Sequence, residues 1–222
     1  MTHLDKKNLL LLNLILGFFA WSDISKLQVP EGFEIQEFVT EIDDARQMVE
    51  GNNYIFVGTK SAGNVYAIDK NNSNKVSTIL TELDMPTGVA LKNGDLYIAE
   101  TDTIHVVKNI ESKLVTNEQI TTEIFFSDLP RKTMWNPVKK AWHGWKWIDF
   151  GPDGALYISE GVPCNVCDEN DPRYGTILKL DNNILSIYAD GVRNSVGFDW
   201  HPETKEMYFT DNGRDWMGDD IP

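Results

Sequence analysis

The sequence predicts an all-β chain built from repeated four-stranded units, and three observations carry that prediction. Helical periodicity is almost absent beyond the N-terminal segment. Short β-prone runs alternate there with turns containing Gly, Pro or Asn. One pattern then recurs: a small, apolar strand, a turn, and a second strand of the form apolar–Tyr–Ile/Phe–small–acid. Comparable positions of the copies are Gly58, Glu100, Glu160 and Asp211, which lie 42, 60 and 51 residues apart. Four-stranded units recurring every ~40–50 residues are the mark of a β-propeller. A jelly roll or sandwich also has many short strands, but lacks this self-similarity.

Taken in order, the chain begins with Lys6-Lys7, an apolar run from Leu9 to Trp21 and the small-residue pattern Ala20-Trp21-Ser22. Positive flank, short apolar core and small residues describe a secretory signal peptide over residues 1–22. The 13-residue run is short for a bilayer span, which takes about 20 residues; an uncleaved anchor is the alternative. Residues 23–222 are then a partial propeller. Strands are expected at 54–58 and 64–68, and at 88–91 and 96–100 around a Lys92-Asn93-Gly94-Asp95 turn. Further strands follow at 147–150 and 156–160 around Gly151-Pro152-Asp153-Gly154, then at 175–180 and 184–188. The last pair is 197–200 and 207–211, joined through His201-Pro202-Glu203. Uneven spacing places insertions at 109–142 and 161–174. About three and a half to four blades are counted. The last unit stops in the loop "TDNGRDWMGDDIP", so the chain is expected to be the N-terminal portion of a longer propeller, truncated at its C-terminal end.

The formal net charge of −14 and pI near 4.6 argue against nucleic-acid binding, which needs a basic face. Signal removal takes away two Lys and one Asp, so the mature charge becomes −15. The mature protein is expected to be periplasmic or secreted, with no stable membrane association. Export bears on Cys164-Asn165-Val166-Cys167, a lone C-x-x-C. A structural zinc site lacks its second pair, and Asp168 in place of His removes the haem-attachment pattern. A local Cys164–Cys167 disulfide is the expectation in an oxidising compartment, with reduced thiols and redox catalysis as alternatives.

Three places beside blade strands carry the candidate chemistry: His143, Gly191-Val192-Arg193-Asn194-Ser195, and the acidic Gly loop from Asp211 to Asp220. Each has a plain structural reading: a packed histidine, an Arg-Asn pair tying blades together, a solvated turn. Their equivalent places in successive repeats favour convergence at one channel mouth. A histidine, an arginine and an acidic Gly loop together suit an anionic, metal-bound cofactor or substrate.

At these residues the chain resembles the soluble sugar dehydrogenases that use pyrroloquinoline quinone (PQQ), especially the sorbosone and aldose dehydrogenases. The matching stretches are "LQVPEGFEIQEF", "MPTGVAL", "HGWKWIDFGPDGALYISEGVPCNVC" and "DGVRNSVGFDWHPETKEMYFTDNGRDWMGDDIP". The resemblance implies a six-bladed propeller and oxidation of a sugar at C1, with an external electron acceptor. It implies that His143 is the general base and that Arg193 stabilises charge on the reduced quinone. It implies cofactor contacts from Arg193, Asn194, Asn212 and Gly213, and calcium held by Gly213 and Arg214, with Asp211 a further candidate ligand. Trp142 stands where the glucose enzymes carry an acidic residue, and its ring is a candidate sugar platform. The family's cationic clamp on the quinone carboxylates belongs to later blades. Two other readings are a calcium-dependent propeller hydrolase of the lactonase kind and a non-catalytic propeller binding module.

Overall fold

A computed structural model describes residues 24–130, 143–167 and 169–215. The proposed signal peptide, Trp142, Asp168 and the Asp219-Asp220 end of the acidic loop lie outside them. Residues up to Phe38 form a unit distinct from the rest. Its described part has a 3-10 turn at Ile24–Lys26 and a tight turn in which Phe33 N–H bonds Pro30 O at 3.1 Å.

The larger unit is a series of antiparallel meanders. Strands β1 (Ala45–Glu50), β2 (Tyr54–Thr59), β3 (Val65–Asp69) and β4 (Lys75–Leu80) form the first sheet in chain order. Strands β5 (Gly88–Lys92), β6 (Asp95–Ala99), β7 (Ile104–Val107) and β8 (Glu123–Phe126) form the second. The third has β9 (Ile148–Phe150), β10 (Leu156–Glu160), β11 (Thr176–Asp181) and β12 (Ile184–Asp190). Strands β13 (Ser195–Trp200) and β14 (Met207–Asp211) make a two-stranded sheet. Three full blades and half of a fourth agree with the repeat count.

Local chemistry explains the hairpins. Asn93 (φ 54°) and Gly94 (φ 84°) both adopt positive φ, as a two-residue turn matching the strand twist requires. Between β9 and β10, Gly151 N–H donates to Ala155 O (2.9 Å) and Gly154 N–H to Gly151 O (2.8 Å). The middle strands of blades 2 and 3 are buried on both faces because each of these blades packs against two neighbours. Leu96 and Ile98 of β6 join Phe56, Val65 and Ala67 of blade 1 in one core. Tyr97 and Ala99 of the same strand face Ile148, Leu156 and Ile158 of blade 3. Tyr157 and Ile177 of blade 3 face Phe198 of blade 4.

One element was not expected. The first insertion contains helix α1 (Ile110–Thr116). Ile110 and Leu114, one turn apart, join the core between blades 1 and 2. Glu111 Oε1 accepts the N–H groups of Asn53 (2.9 Å) and Tyr54 (3.3 Å), clasping the β1–β2 turn.

Toward the axis, the first strand of each blade has one edge without a sheet neighbour, and buried backbone groups there need partners. Two side chains supply them to the β9 edge. Gln47 Nε2 donates to Ile148 O (2.7 Å), while its Oε1 accepts from Ile148 N–H (3.1 Å) and Val89 N–H (3.2 Å). Thr87 Oγ1 donates to Lys146 O and accepts from Lys146 N–H, both at 2.9 Å. Residues 146 and 148 present their backbone groups on the same edge, so Gln47 of blade 1 and Thr87 of blade 2 act as a surrogate strand.

Candidate active site

The heads of the innermost strands enclose a cavity of about 390 Å³ whose walls include Arg46, Gln47, Thr87, Trp145, Trp147 and Asn194. That size suits a small-molecule site, about 300–1,000 Å³. Lys146 and Asn212 also line it, and no carboxylate does among the described residues. The wall is rich in donors; the Trp147 indole N–H is buried without an acceptor among the described residues.

His143 stands at the approach to β9, in the left-handed backbone region (φ 62°). For a residue with a side chain this costs of order 1–3 kcal/mol and persists where the surroundings impose it. Gly161 leaves the room for it: a Cβ there would lie 2.7 Å from His143 Cβ and 2.8 Å from its carbonyl oxygen. His143 Nδ1 lies 2.7 Å from Val162 O. A carbonyl only accepts, so Nδ1 carries the proton and Nε2 holds the basic lone pair of the neutral ring. Burial pushes the imidazole below its ordinary pKa, and the charges of Arg193 and Lys60 add to the fall against the Val162 bond and Asp215. The ring is therefore neutral, and able to accept a proton, at neutral pH. His143 is not itself a wall of the axial cavity. It meets the wall residue Trp145 edge-on, with centroids 5.6 Å apart, and Lys60 Nζ covers the Trp145 ring at 3.7 Å.

Arg193 and Asn194 lead into β13. The guanidinium donates through Nε to Asn165 O (3.2 Å), through one terminal nitrogen to Asn165 Oδ1 (2.8 Å) and through the other to Asn212 O (3.0 Å). Three of its five N–H groups thus orient it, and the blade-tying reading of this pair holds alongside any other role. Asn194 is buried beside Gly161, its Oδ1 3.1 Å from where a Cβ would lie. The structure therefore brings His143 and Asn194 together against Gly161, with Arg193 next in the chain.

The acidic loop divides. Asp211 accepts Arg193 N–H on Oδ2 (3.1 Å) and Asn194 N–H on Oδ1 (2.6 Å), so both its oxygens hold the approach to β13. Asn212 returns to the same segment, its N–H 3.2 Å from Asn194 O. Gly213 and Arg214 are exposed. Arg214 borders a second concavity of about 520 Å³ with Cys164, Asn165, Val166 and Asp215. The expected convergence at one mouth is thus a pair of adjoining concavities, with Arg193 bonded to residues of both.

Cys164 and Cys167 are disulfide-bonded. Asn165 inside that small loop accepts from Arg193 twice and also takes Asp215 N–H on Oδ1 (2.9 Å). Sequence reasoning assigned Asn165 no role; its place between two bonded cysteines was the available signal. The acids at equivalent repeat positions share a task. Glu100 accepts Asp84 N–H at 2.5 Å, Glu160 meets Lys146 at 2.7 Å, and Asp211 holds Arg193 and Asn194. Each ties the end of a blade's second strand to the approach of its first.

No family model matches the chain. An uncharacterized protein of Borreliella burgdorferi is 32% identical over 211 residues, covering 89% of this chain and 52% of its own length. Among solved structures, the holo PQQ domain of pyranose dehydrogenase from Coprinopsis cinerea superposes with a TM-score of 0.65 at 11% identity, over 84% of this chain and 48% of that one. The PQQ-bound aldose sugar dehydrogenase of Streptomyces coelicolor gives 0.56 at 15% identity, over 82% and 60%. A structure described as a gluconolactonase gives 0.55 at 14% identity, also over 82% and 60%. The chain thus spans about half the length of the proteins it matches. In fold, it is part of a β-propeller of the kind that PQQ-binding sugar dehydrogenases carry.

Proposed function

We propose that this chain forms part of an exported quinoprotein that oxidises a sugar at its C1 hydroxyl, with an external electron acceptor. The observation that carries the reading is the His143 imidazole, held through Nδ1 by Val162 O with Nε2 as its basic atom, beside Arg193 and Asn194. A PQQ bound at this site would accept the C1 hydride, with calcium beside it as a Lewis acid.

The residues present fit such a group. The described wall of the axial cavity offers amides, an arginine and an indole N–H but no carboxylate, which suits an anionic, acceptor-rich ligand. Asn194, Asn212 and the oriented Arg193 fork are the proposed contacts. The exposed backbone of Gly213 and Arg214 offers carbonyl oxygens, the donor type a hard cation takes, with Asp211 already engaged by backbone N–H groups. His143 Nε2 removes the hydroxyl proton as the C1–H bond breaks, and Arg193 stabilises the negative charge that develops. The sugar leaves as a lactone. Trp142 remains the proposed sugar platform.

The test is reconstitution of the full-length protein with PQQ and calcium, followed by dye reduction with aldoses. His143→Ala should lower the rate ~100-fold or more, the usual worth of a positioned general base. Full activity in that variant would sink the assignment. Opening of a sugar lactone with calcium alone, without quinone, would favour the hydrolase reading that the gluconolactonase-like fold keeps in view.

A further inference from the structure

Beyond Ile148 and Ile158, where the β9–β10 backbone pairing ends, three further rungs join the approach to β9 with the exit of β10. Trp147 N–H bonds Ser159 Oγ (2.8 Å), and Ser159 N–H returns to Trp147 O (2.9 Å). Lys146 Nζ meets Glu160 Oε2 at 2.7 Å. His143 Nδ1 then bonds Val162 O. The middle rung stands apart from the others. Both its side chains are wholly buried, and apart from this contact neither charged group has a hydrogen-bond partner among the described residues.

For stability alone such a pair is a poor choice, because apolar replacements of similar volume are often neutral or stabilising. Burial drives the Glu160 carboxyl up to about 7, against the pull of Lys146 and Arg173 and with Asp171 adding to the rise. What the pair supplies and an apolar contact does not is direction. It lies three residues from His143 on one side and two from Val162 on the other, between the apolar sheet and a turn held in the left-handed region.

We propose that Lys146 and Glu160 are a positioning pair whose contact fixes the turn that carries His143, keeping Nδ1 on Val162 and Nε2 as the basic atom. The purpose of this arrangement rests on the general-base reading above; the arrangement itself is tested without it. In the full-length protein, the His143 ring is followed by NMR as a function of pH, with no quinone or sugar present. In Glu160→Gln the titration midpoint should rise by half a pH unit or more as the ring escapes its burial, and the hydrogen-bonded Nδ1–H signal should vanish. The exchanged pair Lys146→Glu/Glu160→Lys should recover that signal, which a general loss of stability would not predict.

A folded Glu160→Gln with an unchanged midpoint and Nδ1–H signal overturns the proposal. Should that variant fail to fold, Lys146→Met/Glu160→Met removes both charges at similar volume. Retention of the wild-type His143 signals there overturns the proposal, and their loss supports it. If the double variant also fails to fold, the pair serves the sheet as a whole and the proposal falls. Absence of dye reduction in the wild type would defeat the functional reading and leave these ring measurements intact.

Discussion

Replacing Gln47 by Leu isolates the surrogate strand at the axis. The side chain is buried (4% exposed), and Leu occupies a similar volume, so little of the effect comes from a cavity. What changes is that Ile148 O, Ile148 N–H and Val89 N–H lose their partners. An unsatisfied buried polar group costs about 1–3 kcal/mol. Allowing for relaxation, three of them should cost about 3–6 kcal/mol, a large share of a typical ~5–15 kcal/mol. Urea unfolding followed by tryptophan fluorescence should show the midpoint falling by ~1–3 M, taking a slope of about 2–3 kcal/mol per M. Met48→Ala is the control: the neighbouring residue is 60% exposed and should change stability by ~0.5 kcal/mol or less. If Gln47→Leu shifts the midpoint no more than Met48→Ala, the three bonds do not hold the axis and the surrogate-strand account is refuted.

Other outcomes follow from the same geometry. Thr87→Val keeps shape but strands the Lys146 backbone groups, and should cost ~2–4 kcal/mol in the same assay. Gly161→Ala drives a Cβ into His143; it should destabilise by ~1–3 kcal/mol and lower dye reduction further than that loss of stability explains, read by thermal melting and initial rates. Asn165→Ala frees the Arg193 fork and should weaken PQQ binding in an equilibrium titration. The raised Glu160 pKa fixes a sign for pH. A carboxyl held above its unfolded value stabilises fully below about 4.5 and loses that contribution as pH rises through about 7. The stability of the wild type relative to Lys146→Met/Glu160→Met should therefore fall between pH 5 and pH 8, measured by urea unfolding at each pH.

The strands legible in the sequence, β2, β3, β5, β6 and β9 to β14, are β-prone runs set off by turn residues, whether buried like β6 and β10 or exposed like β12 and β14. β6, β10 and β11 are apolar on both faces because each faces two neighbouring blades, whereas β2 faces blade 2 on one side and Val39 and Ile42 on the other. β1 is not such a run: in Ala45-Arg46-Gln47-Met48-Val49-Glu50 the fully buried residue is a glutamine, and hydropathy has no term for an amide replacing a sheet neighbour. β4 and β8 lie at outer edges, half exposed, and α1 is too short to display a period. Among the candidate site residues, His143, Arg193 and Asn194 were recognisable by their place before inner strands and do come together. Their holders, Val162 O, Gly161 and Asn165, act through a backbone carbonyl, a missing side chain and a loop amide. None of these leaves a mark in residue type alone. Asp211 looked like an oxygen ligand by charge, whereas its two oxygens face backbone N–H groups.

The acids that close each repeat have a consequence for engineering by averaging. Glu100, Glu160 and Asp211 descend the chain at one equivalent position, yet their partners are the Asp84 N–H with the His105 ring at 2.9 Å, the buried Lys146, and two adjacent amides. A consensus blade would install one length of side chain at all three. A glutamate at 211 would carry its carboxylate one methylene farther out than the Arg193 and Asn194 amides require, and an aspartate at 160 would fall short of Lys146. Such a chain would still have blades, and more regular ones. Its asymmetry, which gives each blade entrance its own set of contacts, would be gone.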